Sequence, residues 1–101
     1  MVATISRPKF VLGQVVATPN ALAAFTANAQ TPISFINRHV RGDWGDVDAH
    51  DRDANELALV DGSRIFSVYH LKDGTKFWII TEAVDDDGRR QSTCVLLPED
   101  Y

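Results

Sequence analysis

The chain has 101 residues, of which 45% are hydrophobic, with 10 Lys and Arg, 14 Asp and Glu, and one Cys. This length fits one domain and excludes an enzyme built from separate cofactor and substrate domains. No apolar run approaches the ~20 residues of a membrane-spanning helix, and one Cys excludes an intrachain disulfide and a cysteine-based zinc site. We therefore expect a single cytoplasmic α+β domain with no cofactor and no membrane partner.

The charges are divided unevenly along the chain. Residues 1–41 contain four basic and no acidic side chains, whereas residues 42–101 contain all 14 acidic and six basic ones. The formal net charge of -4 opposes long-range attraction to nucleic acid, so we do not expect non-specific nucleic-acid binding. A local basic contact remains open.

The sequence divides into a short arm and one folded domain. The polar residues 1–8 predict a flexible N-terminal arm, and residues 9–101 predict the domain. Residues 9–17 are rich in β-forming side chains, which predicts a first strand with Gly13 at a bulge or a close approach of another main chain.

Three helices are predicted after this strand. Thr18-Pro19 and Thr31-Pro32 each place a capping hydroxyl before a proline, an arrangement typical of helix starts. Asp48 predicts the start of the third helix, and Asp61-Gly62 predicts its end. The side chains predicted to face the core are Leu22, Phe25 and Ala29, then Ile33, Ile36 and Val40, then Ala54, Leu57 and Ala58.

The pattern then changes to strands. Residues 64–71 and 76–84 flank an Asp-Gly turn, which predicts a hairpin, and residues 92–97 predict a third consecutive strand. The predicted order is β-α-α-α-β-β-β, an antiparallel sheet of about four strands with three short helices packed on one face.

The strand at 76–84 is apolar on both sides. If the helices cover one face of the sheet, Trp78 and Ile80 are left exposed on the other. A homodimer formed through the sheet is the arrangement that we predict would cover them.

The polar segment 39–53 invites a metal hypothesis. His39, Asp43, His50 and Asp51 offer ligands for a divalent ion in a small metal-dependent hydrolase or nuclease. The segment does not match a calcium-binding loop, and its acids are typical of helix capping and a solvated helix start. We therefore predict no metal site and, with Cys94 inside an apolar strand, no catalytic residue.

The turn after the second helix contains the candidate partner-binding residues. Trp44 lies between two glycines, and its side chain either seals the core or forms an interface hot spot. Arg38, Arg41 and Trp44 also suggest a phosphate contact beside a stacking platform, which would make a nucleic-acid-binding surface. The predicted contact set is Arg38, Arg41, Asp43, Trp44 and Asp46.

Several segments resemble a family of small bacterial proteins labelled plasmid-related or type I restriction-modification subunit. The resemblance rests on FVLGQVVATPNAL at 10–22, the turn at 42–45, DGTKFWIITEA at 73–83 and the ending LLPEDY. It covers about nine tenths of the chain, and no catalytic residues of that family transfer to it. The resemblance implies association with plasmids and other mobile elements, whose small acidic proteins often bind host restriction or CRISPR components.

The sequence thus favours a non-enzymatic protein-binding module, such as a mobile-element accessory or anti-defence protein, whose partner is a host protein or a second copy. A metal-dependent hydrolase or nuclease and a nucleic-acid-binding protein are the alternatives.

Overall fold

The computed structural model describes residues 7–101, which form an α+β fold of three helices and a four-stranded mixed sheet in the predicted order. Most of the predicted arm, residues 1–6, lies outside the described residues. None of the described helices is long and apolar enough to cross a membrane. The elements are β1 (Gln14–Ala17), α1 (Pro19–Ala27), α2 (Ile33–Val40), α3 (Ala49–Asp61), β2 (Ile65–His70), β3 (Lys76–Thr81), β4 (Ser92–Leu96) and a C-terminal 3-10 turn (Pro98–Asp100).

The sheet differs from the prediction in the direction of its first strand. The strand order is β1-β4-β3-β2, and β1 runs parallel to β4, whereas the other pairs are antiparallel. The neighbour of β1 in the sheet is β4, and these two strands are far apart in the sequence. No hairpin connects them, so nothing forces them to pair antiparallel. The expected start at residue 9 is wrong because Gly13 has a φ of +65° and lies against the backbone of Arg90 and Gln91.

The helix boundaries follow local capping. The Thr18 hydroxyl accepts a hydrogen bond from the amide of Ala21, and the Asp48 carboxylate accepts one from the amide of Asp51, so two predicted caps are confirmed. The predicted Thr31 cap is wrong, because α2 begins after Pro32 without a side-chain cap. Helix α3 ends at Gly62 in the left-handed conformation, as predicted.

The buried helix faces are partly those predicted. Phe25, Ile36, Val40 and Ala58 are buried as expected. The predictions for the other five positions, Leu22, Ala29, Ile33, Ala54 and Leu57, are wrong, because these side chains are exposed. Tertiary packing rotates each helix so that neighbouring positions are buried instead, among them Ala21, Phe35 and Asn55.

One face of the sheet carries the main core. Phe25 from α1 and Phe35 from α2 meet Phe77 edge to face, with ring centroids 4.8 and 4.9 Å apart, respectively. Ile79 and Val95 from the two central strands are fully buried beneath them. Burying these apolar surfaces provides the main driving force for folding.

The opposite face is less exposed than the sequence predicts. Ile80 is buried and Trp78 is half-buried, so the expectation that both lie exposed is wrong. The ring of Trp78 contacts Phe66, at 5.2 Å between centroids, and the C-terminal Tyr101, at 5.8 Å. These large side chains cover one another without a helix layer on this face.

The outer edge of β2 is closed by groups from two other segments. The amide of Val68 donates to the carbonyl of Trp44, and the amide of Asp46 donates to the carbonyl of Val68. The side-chain amide of Asn55 donates to the carbonyl of Phe66 and accepts from its N–H, at 2.7 and 3.0 Å. These bonds satisfy main-chain groups that an edge strand would otherwise leave open.

Replacing Asn55 should therefore weaken the fold. Asn55→Ala removes both partners of the Phe66 main chain, and we expect the free energy of unfolding to fall by about 2 kcal/mol, measured by urea denaturation. Asn37, exposed on α2, is the matched control, and Asn37→Ala should stay within about 0.5 kcal/mol of the wild type. Equal stabilities for the two variants would contradict this role.

Candidate functional site

The charged residues of the predicted contact turn pair with groups inside the protein. Arg38 donates to Asp43 through two nitrogens, at 2.7 and 3.3 Å, and its guanidinium lies 4.7 Å from the ring centre of Tyr69. The bond to Arg38 lowers the pKa of Asp43, and the same bond raises the pKa of Arg38. Asp46 pairs with His70 at 2.8 Å. The charges at this turn are therefore partly neutralised by one another.

Trp44 belongs to the core. Its side chain is 4% exposed and packs with Ala58 and Ile65, which confirms the core interpretation of this residue. The indole N–H donates to the Glu56 carboxylate at 2.7 Å. Its ring also stacks on Phe10 with centroids 6.2 Å apart. The structure thus brings the five predicted contact residues into one region but buries the aromatic one, and it leaves Arg41 exposed near the Arg38–Asp43 ion pair.

The adjacent glycine explains how the turn reaches the sheet. Gly45 has a φ of +72°, and a Cβ at this position would lie 1.9 Å from the carbonyl oxygen of Val68. Any side chain would therefore push the 44–46 segment off the edge of β2.

His39 lies at the centre of a buried hydrogen-bond network. Its Nδ1 is 2.6 Å from the Ser67 hydroxyl, and its Nε2 is 2.9 Å from the Thr81 hydroxyl. The Thr81 hydroxyl lies 2.7 Å from the Thr93 hydroxyl, and the Thr93 hydroxyl donates to the carbonyl of Leu12 at 2.7 Å. The network therefore connects helix α2, three strands of the sheet and the segment before β1.

The carbonyl of Leu12, at the end of this network, determines which group donates in every hydrogen bond. A carbonyl only accepts, so Thr93 donates to Leu12 and must accept from Thr81. Thr81 then accepts from Nε2–H of His39, and the unprotonated Nδ1 accepts from Ser67. Burial lowers the pKa of His39 to about 3, which keeps the imidazole neutral in this single tautomer.

These contacts account for the residues considered for catalysis. His39 is fully buried and its two nitrogens are occupied, so it is not placed to exchange protons with a substrate. Among residues 7–101, no group of three or more His, Cys, Asp or Glu side chains lies close enough to hold a metal ion. Burial raises the pKa of the Cys94 thiol, which disfavours the reactive thiolate.

A groove that the sequence did not predict lies beside the contact turn, which its lining residues Lys9 and Phe10 contact at Gly42 and Trp44. It has a volume of about 570 Å³ and is lined by residues from three segments, 9–13, 59–62 and 84–91. We call it the basic groove, because Lys9, Arg89 and Arg90 line it and none of its described lining residues is Asp or Glu.

Arg90 joins two walls of the basic groove. It is 8% exposed and donates to the carbonyls of Ala58, Ser63 and Glu82, at 2.7 to 3.0 Å. The Ala58 carbonyl lies in the last turn of α3, where a cation is favoured by the helix dipole. The guanidinium of Arg90 also lies 5.8 Å from the ring centre of Phe10, in the third wall.

The rim of the basic groove is apolar and open to solvent. Val60 is 86% exposed and Val11 is 72% exposed, and Val84, in the third segment, is 40% exposed. Three exposed valines on separate segments that line one concave surface are typical of an interaction site.

The sequence contained partial signals for this groove. Leu59 and Val60 are adjacent apolar residues at the end of α3, and Arg89 and Arg90 are adjacent cations in a turn rich in Asp. Nothing in the sequence, however, shows that residues so far apart meet, because the three walls come from opposite ends of the chain and from α3.

No protein-family model matches the chain, and the searches of curated proteins and of solved structures find no significant match.

Replacing Trp44 should destabilise the protein. Trp44→Ala leaves a large cavity beneath the turn, and we expect the free energy of unfolding to fall by about 3–5 kcal/mol, measured by urea denaturation. Trp44→Phe retains a ring and loses the bond to Glu56, so it should cost less than Trp44→Ala. A Trp44→Ala protein as stable as the wild type would place this side chain outside the core.

His39 should make stability depend on pH. Because its pKa is about 3 in the folded state and about 6.5 in the unfolded state, the unfolded chain binds the extra proton between these values. The neutral ring contributes fully to the free energy of unfolding above pH 6.5. This contribution falls by about 1.4 kcal/mol per pH unit as the pH decreases towards 3.

This dependence is measurable by urea denaturation between pH 7 and pH 5. The wild type should lose about 2 kcal/mol more stability over this interval than His39→Gln, which has no titrating ring. His50 and His70 remain in both proteins and serve as an internal control. Parallel pH profiles for the two proteins would show that His39 does not carry the effect.

Proposed function

We propose that this chain is a non-enzymatic protein-binding module that holds its partner in the basic groove. The observation that carries the proposal is the exposure of Val11 and Val60, at 72% and 86%, on two walls of one concave surface of about 570 Å³. Covering these side chains would remove apolar surface from water, which favours association.

The internal anchors of the groove also support a binding role. The carbonyl of Leu12 accepts from Thr93, and the amide of Gln14 donates to the carbonyl of Gln91, at 3.0 Å. Arg90 fixes the other two walls to each other. A site whose main chain is already ordered loses little conformational entropy when a partner binds.

The contact turn at 38–46 is a weaker candidate for the main contact surface. Its tryptophan is buried, Arg38 is paired with Asp43, and Asp46 is hydrogen-bonded to His70. The same facts weaken a nucleic-acid interface through Arg38, Arg41 and Trp44, because that interface needs an exposed ring for base stacking. The turn remains a proposed secondary contact.

The two other proposals have less support. A metal-dependent hydrolase would need His39 or Asp43 as ligands. The two nitrogens of His39 are hydrogen-bonded to Ser67 and Thr81, and Asp43 is bonded to Arg38. A homodimer through the sheet loses part of its rationale, since Ile80 is already buried. The family resemblance supports a host partner and a mobile-element accessory or anti-defence role for the proposed module.

Removing the two exposed valines should abolish capture. The double variant Val11→Ser with Val60→Ser changes solvent-exposed side chains, so we expect it to fold like the wild type. Tagged protein is used to capture partners from a bacterial lysate containing restriction and CRISPR systems, with mass spectrometry as the readout. We expect a stoichiometric partner with the wild type and at least a tenfold lower yield with the double variant.

The matched control is Leu22→Ser with Ile33→Ser, which removes two exposed apolar side chains outside the groove. This control should capture the partner as the wild type does. Capture that is lost in the control and retained in the groove variant would move the binding surface to α1 and α2. An empty capture with the wild type would contradict the proposed function.

A further inference from the structure

We infer that the basic groove receives an acidic peptide segment of the partner, one that carries apolar side chains beside its carboxylates. The inference rests on the proposed function and adds the chemical class of the segment that binds. It follows from the charges, the exposed valines and the shape of the groove.

The charge of the groove is opposite to that of the chain. The whole protein has a formal net charge of -4, yet Lys9, Arg89 and Arg90 line the groove and its described lining residues contain no carboxylate. Arg89 is exposed, and Lys9 lies across Gly42 at the end of the groove. A basic segment would be repelled here, whereas carboxylates would meet three cations at short range.

Arg90 supplies a buried positive charge that lacks a carboxylate partner among residues 7–101. Its bonds go to three main-chain carbonyls, and the described ion pairs do not include it. Such a charge attracts a carboxylate more strongly than an exposed one because less water screens it. A ligand carboxylate near Arg90 would therefore gain more than one at the solvated surface.

The nearest carboxylates in the sequence are engaged in their own turns. Asp61 accepts from the amide of Ser63 at 2.9 Å, and Asp85 accepts from the amides of Asp87 and Arg89, at 2.9 and 3.0 Å. Asp61 is close enough to act electrostatically on Arg90, although burial has the larger effect on that guanidinium. Asp85 likewise interacts electrostatically with Arg89, so an incoming carboxylate competes with Asp61 and Asp85 for these two cations.

The apolar rim decides between a simple anion and a peptide. Val11, Val60 and Val84 lie on three walls, and Val60 projects almost completely into solvent. A small anion would neutralise the cations and leave these valines in water. A segment with alternating acidic and apolar side chains would contact both parts of the surface at once.

A phage-displayed library of random 12-residue peptides, selected on the immobilised full chain, tests this class directly. We expect the bound peptides to be enriched in Asp, Glu and apolar residues relative to the starting library. The best peptide is then synthesised, and its Kd is measured by calorimetry for the wild type, Arg89→Glu and Lys72→Glu.

Reversing the groove charge should weaken binding selectively. We expect Arg89→Glu to raise the Kd by about tenfold, because attraction becomes repulsion at the rim. Lys72→Glu makes the same charge change in the β2–β3 turn, outside the groove, and should change the Kd by less than about twofold. Added salt should weaken the wild-type complex more than the Arg89→Glu complex.

Two results would overturn the inference. The first is a selected set that is neutral or basic, or a library that yields no binding peptide. The second is a peptide whose Kd rises with Val11→Ser and Val60→Ser but is unchanged by Arg89→Glu. That second result would leave the proposed protein-binding function standing and remove only the acidic class of partner.

Discussion

Two buried polar side chains, His39 and Arg90, hold the walls of the basic groove where they are. The neutral ring of His39 starts a hydrogen-bond network that ends on the carbonyl of Leu12, in the 9–13 wall. Arg90 binds carbonyls from α3, from the loop after it and from the end of β3, which fixes the other two walls. Because buried polar groups need all of their partners, this arrangement tolerates little displacement.

We propose the basic groove as the binding surface because two other parts of the described surface are closed by contacts within the chain. The outer edge of β2 is closed by the 44–46 segment and by Asn55, and its second face is covered by Trp78 and Tyr101. At the contact turn, Arg38 and Asp43 form an ion pair, and Asp46 is hydrogen-bonded to His70. The basic groove, in contrast, combines three cations with the exposed side chains of Val11 and Val60.

Local features of the sequence were sufficient to predict the elements and their order. The caps at Thr18 and Asp48, the left-handed Gly62 and the Asp-Gly hairpin are each determined by residues within a few positions of one another. The helix faces were predicted less well, because the partner of Asn55 is the main chain of Phe66, on a different element. The parallel pairing of β1 with β4 likewise depends on residues about 80 positions apart.

The candidate site shows the same limit more strongly. Arg38, Asp43, Trp44 and Asp46 were recognisable as a group because they are close in sequence, but their burial and pairing depend on Glu56, Tyr69 and His70. The basic groove is assembled from three segments, so no single stretch of sequence identified it. Arg90 in particular gave no sign that it would be buried against carbonyls up to 32 positions away.

The most direct test of the basic groove as the binding surface is an NMR titration of the ¹⁵N-labelled chain with its captured partner. Chemical-shift changes are followed for every backbone amide. We predict that the largest changes fall on residues 9–13, 59–62 and 84–91, with smaller changes at residues 38–46, which contact Lys9 and Phe10. Changes concentrated at residues 38–46, with residues 9–13, 59–62 and 84–91 unaffected, would contradict this prediction and return the contact surface to the turn around Trp44.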